Sequence, residues 1–423
     1  MPFNTISVVG LGYIGLPTAA MFASRRKNVV GVDINQKTVD IINAGNIHIV
    51  EPELDILVKT AVSQGYLRAV TKPEPADAFL MAVPTPLLPV TKEGEIPQPD
   101  LSFVESASKA IAPVLKKGDL VILESTSPVG TTEVMAEWLA NSRPDLTFPQ
   151  THGIESDIRV AHCPERVLPG HVVRELVDND RIIGGMTERC SEAAIQLYKI
   201  FVEGECVVTN ARTAEMAKLT ENASRDVSIA FANELSIICD KLEINVWELI
   251  RLANRHPRVN ILNPGPGVGG HCIAVDPWFI VSSAPGESNL ISTARKVNSF
   301  KPKWFAEKVK IAIADFLQSN PQKGVGDVVI ACYGLSFKPD IDDLRESPSL
   351  SIAQNIAEFH KGTVLGVEPN ITRLPAAYNI ELVSFDAAEA RANIALMLVD
   401  HKEFRASRAP HVDIIIDAKG IWS

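Results

Sequence analysis

The stretch Ile6-Ser7-Val8-Val9-Gly10-Leu11-Gly12-Tyr13-Ile14-Gly15 decides the fold. Its β-branched run reads as a strand, Gly-x-Gly-x-x-Gly as a turn, and the residues through Arg26 as a helix. A second strand, Val29-Val30-Gly31-Val32, closes on Asp33, at the roughly 20-residue spacing expected of a ribose-binding acid. The glycines alone are a weak signal. Strand, turn, helix and trailing acid together mark a dinucleotide-binding unit. Gly10 permits the tight turn, Gly12 lets the backbone approach a pyrophosphate, and Gly15 lets the helix pack closely with its N-terminus toward the negative charge. Tyr13 and Ile14, inside the turn, join these glycines as cofactor-binding candidates. Asp33 is placed to accept ribose hydroxyls and to repel a 2′-phosphate, which favours NAD over NADP.

Outward from this unit, strand-like runs follow at Leu80–Val83, Leu120–Leu123, Arg159–His162 and Arg181–Ile183, with helical segments between them. That alternation implies a parallel, doubly wound sheet, so residues 1–205 are read as a Rossmann-type α/β domain. From Ala211 to about Asp240, Met216, Leu219, Ala223, Val227, Ala230, Phe231, Leu235 and Ile238 recur at helical steps and predict one long amphipathic helix. A shorter helix, Val246–Ala253, precedes the Pro/Gly-rich segment Asn263–Gly270. A second long helix is expected from about Glu287 to Leu317, interrupted near Pro302. Residues 206–322 therefore form a central helical domain, whose apolar stripes suit a homodimer interface as well as they suit a subdomain core. Strands at Val328–Cys332, Thr363–Val367, Ile394–Val399 and Val412–Ile416, with the degenerate turn Gly334-Leu335-Ser336-Phe337-Lys338, make residues 323–423 a second α/β nucleotide-binding domain.

The 423 residues are 46% hydrophobic and 22% charged, an ordinary globular balance that excludes rods and extended disorder. A net charge of −10 disfavours a nucleic-acid partner. No run approaches the ~18 apolar residues of a membrane span. The opening Met1-Pro2-Phe3-Asn4-Thr5 carries no basic leader, so no membrane partner and a cytoplasmic location are expected. Six dispersed cysteines without Cys-x-x-Cys fit reduced thiols, and no metal is expected.

The chemistry is concentrated in Gly265-Pro266-Gly267-Val268-Gly269-Gly270-His271-Cys272-Ile273-Ala274-Val275-Asp276-Pro277. Four glycines before a cysteine let the backbone approach a ligand, and a helix beginning after it would stabilise a Cys272 thiolate. Asp276 lies four residues on, on the same face if the helix forms. Cys163, Cys190, Cys206, Cys239 and Cys332 read as small buried hydrophobes. On the long helix, Lys218 and Asn222 share a face, with Arg225 three residues further. This is either a solvated surface or a cation and an amide presented to a developing oxyanion. Thr85 and Thr126, in loops after predicted strands, are placed either to touch the cofactor or simply to form the loop.

Taken together, Gly10–Gly15, Ser125 to Thr132, Pro164-Glu165, Glu215 to Asn222, Gly269 to Cys272 with Asp276-Pro277, and Phe337-Lys338 through Asp343 to Ser347 resemble the UDP-glucose/GDP-mannose dehydrogenase family over essentially the whole chain. Within that family, Cys163-Pro164-Glu165-Arg166-Val167-Leu168-Pro169-Gly170 and Arg255 to Ile261 resemble the members that act on UDP-N-acetyl-D-mannosamine, and differ from those that act on UDP-glucose.

The resemblance implies a four-electron oxidation of the sugar C6 alcohol to a carboxylate with two NAD in succession, serving surface-polysaccharide synthesis of the enterobacterial common antigen type. Cys272 would form a thiohemiacetal and then a thioester. Lys218, aided by Asn222, would stabilise the oxyanions; Asp276 would position water or act as base, and Glu165 would serve hydrolysis. Arg166, Val167, Lys218, Asn222, Arg225, His256, Arg258, Gly269, Phe337, Lys338 and Lys419 are implied around the UDP-sugar, and Arg345 near NAD. The same chemistry on UDP-N-acetylglucosamine or UDP-glucose stays open. A non-catalytic dinucleotide-binding scaffold also remains open, although it would have no need of Cys272, Lys218 and Asp276.

Overall fold

A computed structural model describes residues 3–92, 94–168 and 170–422, so that Met1, Pro2 and Pro169 of the segments quoted above lie outside the described residues. The chain divides into two compact units: residues 1–221 with 278–285, and residues 222–277 with 286–423.

The first unit is built on an eight-stranded sheet of β1 (Thr5–Val9), β2 (Asn28–Val32), β3 (Leu67–Val70), β4 (Ala78–Met81), β5 (Leu120–Leu123), β6 (Arg159–His162), β7 (Arg181–Gly185) and β8 (Cys206–Asn210). Its order is β3-β2-β1-β4-β5-β6-β7-β8, and the first six positions follow the dinucleotide-binding order. Alternation along the strands feeds two cores. Ile6, Val8, Leu80 and Ile122 pack on one face, and Val9, Val30, Phe79, Met81, Val121 and Leu123 on the other.

Three details differ from the sequence reading. The sheet is parallel only as far as β6, because β7 runs antiparallel to it, with Ala161 opposite Gly185 and His162 opposite Gly184. Continuing that register sets Glu165 opposite Arg181, so the reversal brings an acid and a base together at one end of the sheet. The fourth strand is Ala78–Met81, which leaves Val83 in the loop after it. Finally, β3 and β8 were not anticipated; β8 carries the sheet five residues past 205, up to the start of the helix Ala211–Lys241.

The second unit holds a wholly parallel sheet of β9 (Ile330–Tyr333), β10 (Val364–Val367), β11 (Glu381–Leu382), β12 (Ile394–Met397) and β13 (Ile414–Asp417), in the order β11-β10-β9-β12-β13. It repeats the turn of the first sheet. Gly10 N–H donates to Val32 O at 2.8 Å and Leu11 N–H to Asp33 Oδ2 at 3.1 Å. Gly334 N–H donates to Val367 O at 2.9 Å and Leu335 N–H to Glu368 Oε2 at 2.8 Å. The copies differ in access. Asp33 is half-buried, whereas Glu368 is buried and also meets Ser336 N–H at 3.1 Å and His401 Nε2 at 3.0 Å.

The helix Asn289–Ser319 is continuous through Pro302, so the expected interruption is absent. Buried contacts outweigh the lost N–H. Arg295 pairs with Asp226 at 2.6 Å, Asn298 Nδ2 donates to Asp226 Oδ1 at 2.8 Å, Asn233 Nδ2 donates to Asn298 Oδ1 at 2.9 Å, and Phe305, Val309 and Phe316 enter the core. Lys301 is 1% exposed, its Nζ 2.5 Å from Ser236 Oγ and 3.9 Å from the Trp304 ring centre.

Burial pushes Lys301 down to about 7, with Asp240 opposing and Lys308 assisting. The unfolded chain therefore holds a proton that the folded chain lacks between about pH 7 and 10.5, so this residue costs stability below that window and the cost fades as pH rises through it. Urea titrations from pH 7 to 10 should show Lys301→Met more stable than the wild type at pH 7, with the gap narrowing as pH rises. A gap that does not change with pH would contradict the assignment.

Candidate functional site

The glycine turn has the shape a dinucleotide requires. Gly10 has φ +91°, and a side chain there would meet Ala82 O at 2.5 Å; at Gly15 a Cβ would lie 1.8 Å from Gly10 O. A Cβ at Gly12 would meet nothing within 4 Å, which leaves open space beside the backbone at the head of the helix Gly15–Ser24. Asp33 Oδ1 accepts Asn35 N–H at 2.9 Å while Oδ2 holds Leu11, so its carboxylate is fixed at the edge of the same turn. Tyr13 is exposed and Ile14 half-buried beside it. These residues fit a bound NAD: the turn for the pyrophosphate, and the Asp33 carboxylate for the ribose.

The loops after β4 and β5 are tied together. Ser125 Oγ donates to Val83 O at 2.7 Å and Thr85 Oγ1 donates to Thr126 O. The hydroxyl of Thr85 is thus engaged within the loops. Glu215, near the start of the helix Ala211–Lys241, accepts Gly130 N–H at 2.6 Å and both Thr132 N–H at 2.8 Å and Thr132 Oγ1–H at 2.6 Å. It caps the helix Thr131–Ser142 from outside, a role that the sequence spacing does not disclose. Burial is the largest influence on its carboxyl and raises it above the usual range.

Glu165 is buried where β6 ends. Its Oε2 lies 2.7 Å from Arg181 Nη2 and its Oε1 accepts Arg166 N–H at 2.7 Å. The Arg166 side chain pairs with Glu221 at 2.7 Å, Val167 is half-buried, and Lys218 is half-buried on the long helix.

In the second unit, Asn222 Nδ2 donates to Asp276 Oδ2 at 2.5 Å. Asp276 is buried at the start of the helix Asp276–Ser283, and its N–H donates to Cys272 O at 2.8 Å. Cys272 is therefore in the turn ahead of the helix. It is the one exposed cysteine of the six; Cys163, Cys190, Cys239 and Cys332 are buried and Cys206 is half-buried. Burial pushes the Cys332 thiol up to about 12 and raises Cys163 as well, which makes both inert.

The glycine loop before Cys272 is seated on Phe337, Glu346 and Pro348. A Cβ at Gly269 would meet Glu346 O at 2.4 Å and one at Gly270 would meet the Phe337 ring at 3.1 Å, while Gly265 N–H donates to buried Asn233 Oδ1 at 2.9 Å. Gly269 and Phe337 are thus in contact. Lys419 Nζ pairs with Asp400 at 3.1 Å and would lie 3.9 Å from a Cβ at Gly265. Arg225, His256, Arg258, Lys338 and Arg345 are exposed, with Arg345 Nη2 2.7 Å from Asp343.

The chain belongs to the UDP-glucose/GDP-mannose dehydrogenase family, whose NAD-binding domain matches residues 4–202, central domain 212–300 and UDP-binding domain 331–423. It is an NAD-dependent dehydrogenase of nucleotide sugars. Among its relatives, the UDP-N-acetyl-D-mannosamine dehydrogenase of Yersinia pestis is 64% identical over 426 residues, covering 100% of both chains. The NDP-N-acetyl-D-galactosaminuronic acid dehydrogenase of Ralstonia nicotianae is 64% identical over 424 residues, 100% of this chain and 97% of the relative. Among solved structures, UDP-D-ManNAc dehydrogenase from Pyrococcus horikoshii matches with a TM-score of 0.85 and 39% identity over 99% of this chain and 96% of that one.

Because the Asp33 carboxylate is fixed at the edge of the turn, where it would repel a 2′-phosphate, the wild type should use NAD well and NADP poorly. Asp33→Ala should narrow that preference. Initial rates with each cofactor test it, and equal wild-type use of both would contradict it.

Proposed function

We propose that the protein oxidises UDP-N-acetyl-D-mannosamine at C6 to UDP-N-acetyl-D-mannosaminuronate, in the cytoplasm, for surface-polysaccharide synthesis. The observation that carries this reading is Cys272: the one exposed thiol, on a glycine loop seated against Phe337, and followed by an Asp276 already held by Asn222. Gly10, Gly12, Tyr13, Ile14, Gly15 and Asp33, with Thr85, Thr126 and Arg345, would hold NAD, which when bound would supply a hydride acceptor for each of two oxidations.

The rest is done by the chain. Cys272 Sγ adds to the C6 aldehyde and holds it as a thiohemiacetal; after the second oxidation the carbon is a thioester, which water cleaves, returning the electron pair to Sγ. Lys218 and Asn222 stabilise the oxygen that becomes negative in each step. Asp276 holds Asn222 in place, and Glu165 takes the proton of the attacking water. Arg166, Val167, Arg225, His256, Arg258, Gly269, Phe337, Lys338 and Lys419 bind the UDP-sugar. The functional division is 1–205 for NAD, 206–322 for a homodimerising centre and 323–423 for the UDP-sugar. The 64% identity to the galactosaminuronic acid dehydrogenase supports one alternative, the same chemistry on a nucleotide-linked N-acetyl-D-galactosamine.

A panel of UDP-sugars, with NADH and product mass followed together, tests the reading. UDP-N-acetyl-D-mannosamine should give the highest kcat/KM and two NADH per uronate. Cys272→Ala should form no uronate, and Lys218→Ala should lose roughly 10²–10³ in kcat. One NADH with an aldehyde product, or uronate from Cys272→Ala at near-normal rate, would contradict it.

A further inference from the structure

Glu165 is held from the sheet. The antiparallel register of β6 and β7 sets it opposite Arg181, whose Nη2 lies 2.7 Å from Glu165 Oε2. The same guanidinium reaches a second carboxylate, Glu124 at the end of β5, at 3.9 Å, and lies 4.7 Å over the Tyr198 ring. Tyr198, at the end of the helix Glu188–Tyr198, donates its O–H to Glu124 Oε1 at 2.6 Å. The side chains of Glu124, Arg181 and Glu165 are 0%, 4% and 7% exposed. One cation therefore faces two carboxylates in a nearly dry space. Burial of two carboxylates against a single cation disfavours keeping both of them ionised.

Burial pushes Glu124 up to about 7; Arg181 opposes that rise, Glu165 adds to it, and the Tyr198 hydroxyl opposes it. The Cys163 thiol, beside the same guanidinium, is kept protonated by burial and adds no charge.

We propose that Arg181 is a positioning residue for hydrolysis of the acyl-enzyme: it fixes the Glu165 carboxylate, and Glu124 tunes that hold by competing for the same guanidinium. The inference rests on Glu165 being the hydrolytic base, as read above. In the step itself the water oxygen bonds to the acyl carbon, Glu165 takes the water proton, and the C–S bond breaks with its electron pair going to Cys272 Sγ. While Glu124 is protonated, Arg181 is committed to Glu165. Once Glu124 ionises, the guanidinium is divided between two acids and its hold on Glu165 loosens, so hydrolysis slows as pH rises through neutrality.

The test uses the full-length enzyme with NAD and UDP-N-acetyl-D-mannosamine, acid-quenched during turnover and weighed as intact protein. Glu165→Gln and Arg181→Met should both accumulate an acyl adduct on Cys272, with kcat down by about 10–100-fold and both KM values within about twofold. Arg181→Lys should restore part of the loss. Glu124→Gln, which conserves shape and keeps an acceptor for Tyr198, should abolish the fall of the hydrolysis rate between about pH 6 and 8, and it stands as the test if Arg181→Met fails to fold. Adduct accumulation in Glu165→Gln but not in a folded Arg181→Met, or an unchanged pH profile in Glu124→Gln, would overturn the proposal. Failure of Glu165→Gln itself to accumulate adduct would instead overturn the assignment of the base.

Discussion

A side chain at position 15 would place its first carbon 1.8 Å from the carbonyl oxygen of Gly10. No rearrangement of a neighbour relieves that clash, because the obstacle is backbone. The first helix can therefore start against β1 only with glycine there, and only with Gly10 at φ +91° to turn the chain. The rest of the turn follows from this close approach: the open space at Gly12, the Leu11 N–H on Asp33, and the acid held at the end of β2. The second sheet solves the same problem with Gly334 at φ +85° and then closes the result, since Glu368 is covered by Ser336 and His401. One turn is left for a ligand, and the other has become an internal clasp.

The cysteine loop depends on close approach as well. A side chain at Gly269 would collide with Glu346 O and one at Gly270 would crowd the Phe337 ring, and Gly265 is tied to Asn233, which continues through Asn298 to Asp226 and Arg295. A buried hydrogen-bonded chain of this kind fixes backbone position more sharply than apolar contact does, because every member left unpaired carries a desolvation cost. The loop is accordingly held from below while Cys272 stays exposed. That combination suits a nucleophile that must form and release a covalent bond.

Much of this was legible in the sequence because it is local. Gly10, Gly12, Gly15 and Asp33 obey a spacing set by one strand–turn–helix–strand unit, and Cys272 stood out from its immediate glycine neighbours. What escaped notice depends on residues far apart in sequence. Glu215 caps a helix more than 80 positions earlier, so no local pattern marks it. The reversal of β7 is invisible because a four- or five-residue β-branched run reads alike in either direction, and with it the pairing of Arg181 to Glu165 was hidden. Strand β3 is short and carries Arg68, and β8 is an edge strand with Val207 and Val208 exposed, so neither shows the apolar continuity of a central strand. Pro302 behaves in the opposite way: a strong local breaking signal is overridden by the buried partners of Arg295 and Asn298 and by Phe305, Val309 and Phe316 in the core.

Oxidation as proposed passes through a covalent bond to Cys272. Rapid acid quench of the wild-type enzyme in a single turnover of UDP-N-acetyl-D-mannosamine with excess NAD, followed by peptide mapping, addresses it most directly. The account predicts a uronyl thioester on the peptide bearing Cys272 and on no other cysteine, rising with the second NADH and decaying as uronate appears. Uronate formed through a full turnover with no modified Cys272 peptide at any time would contradict it.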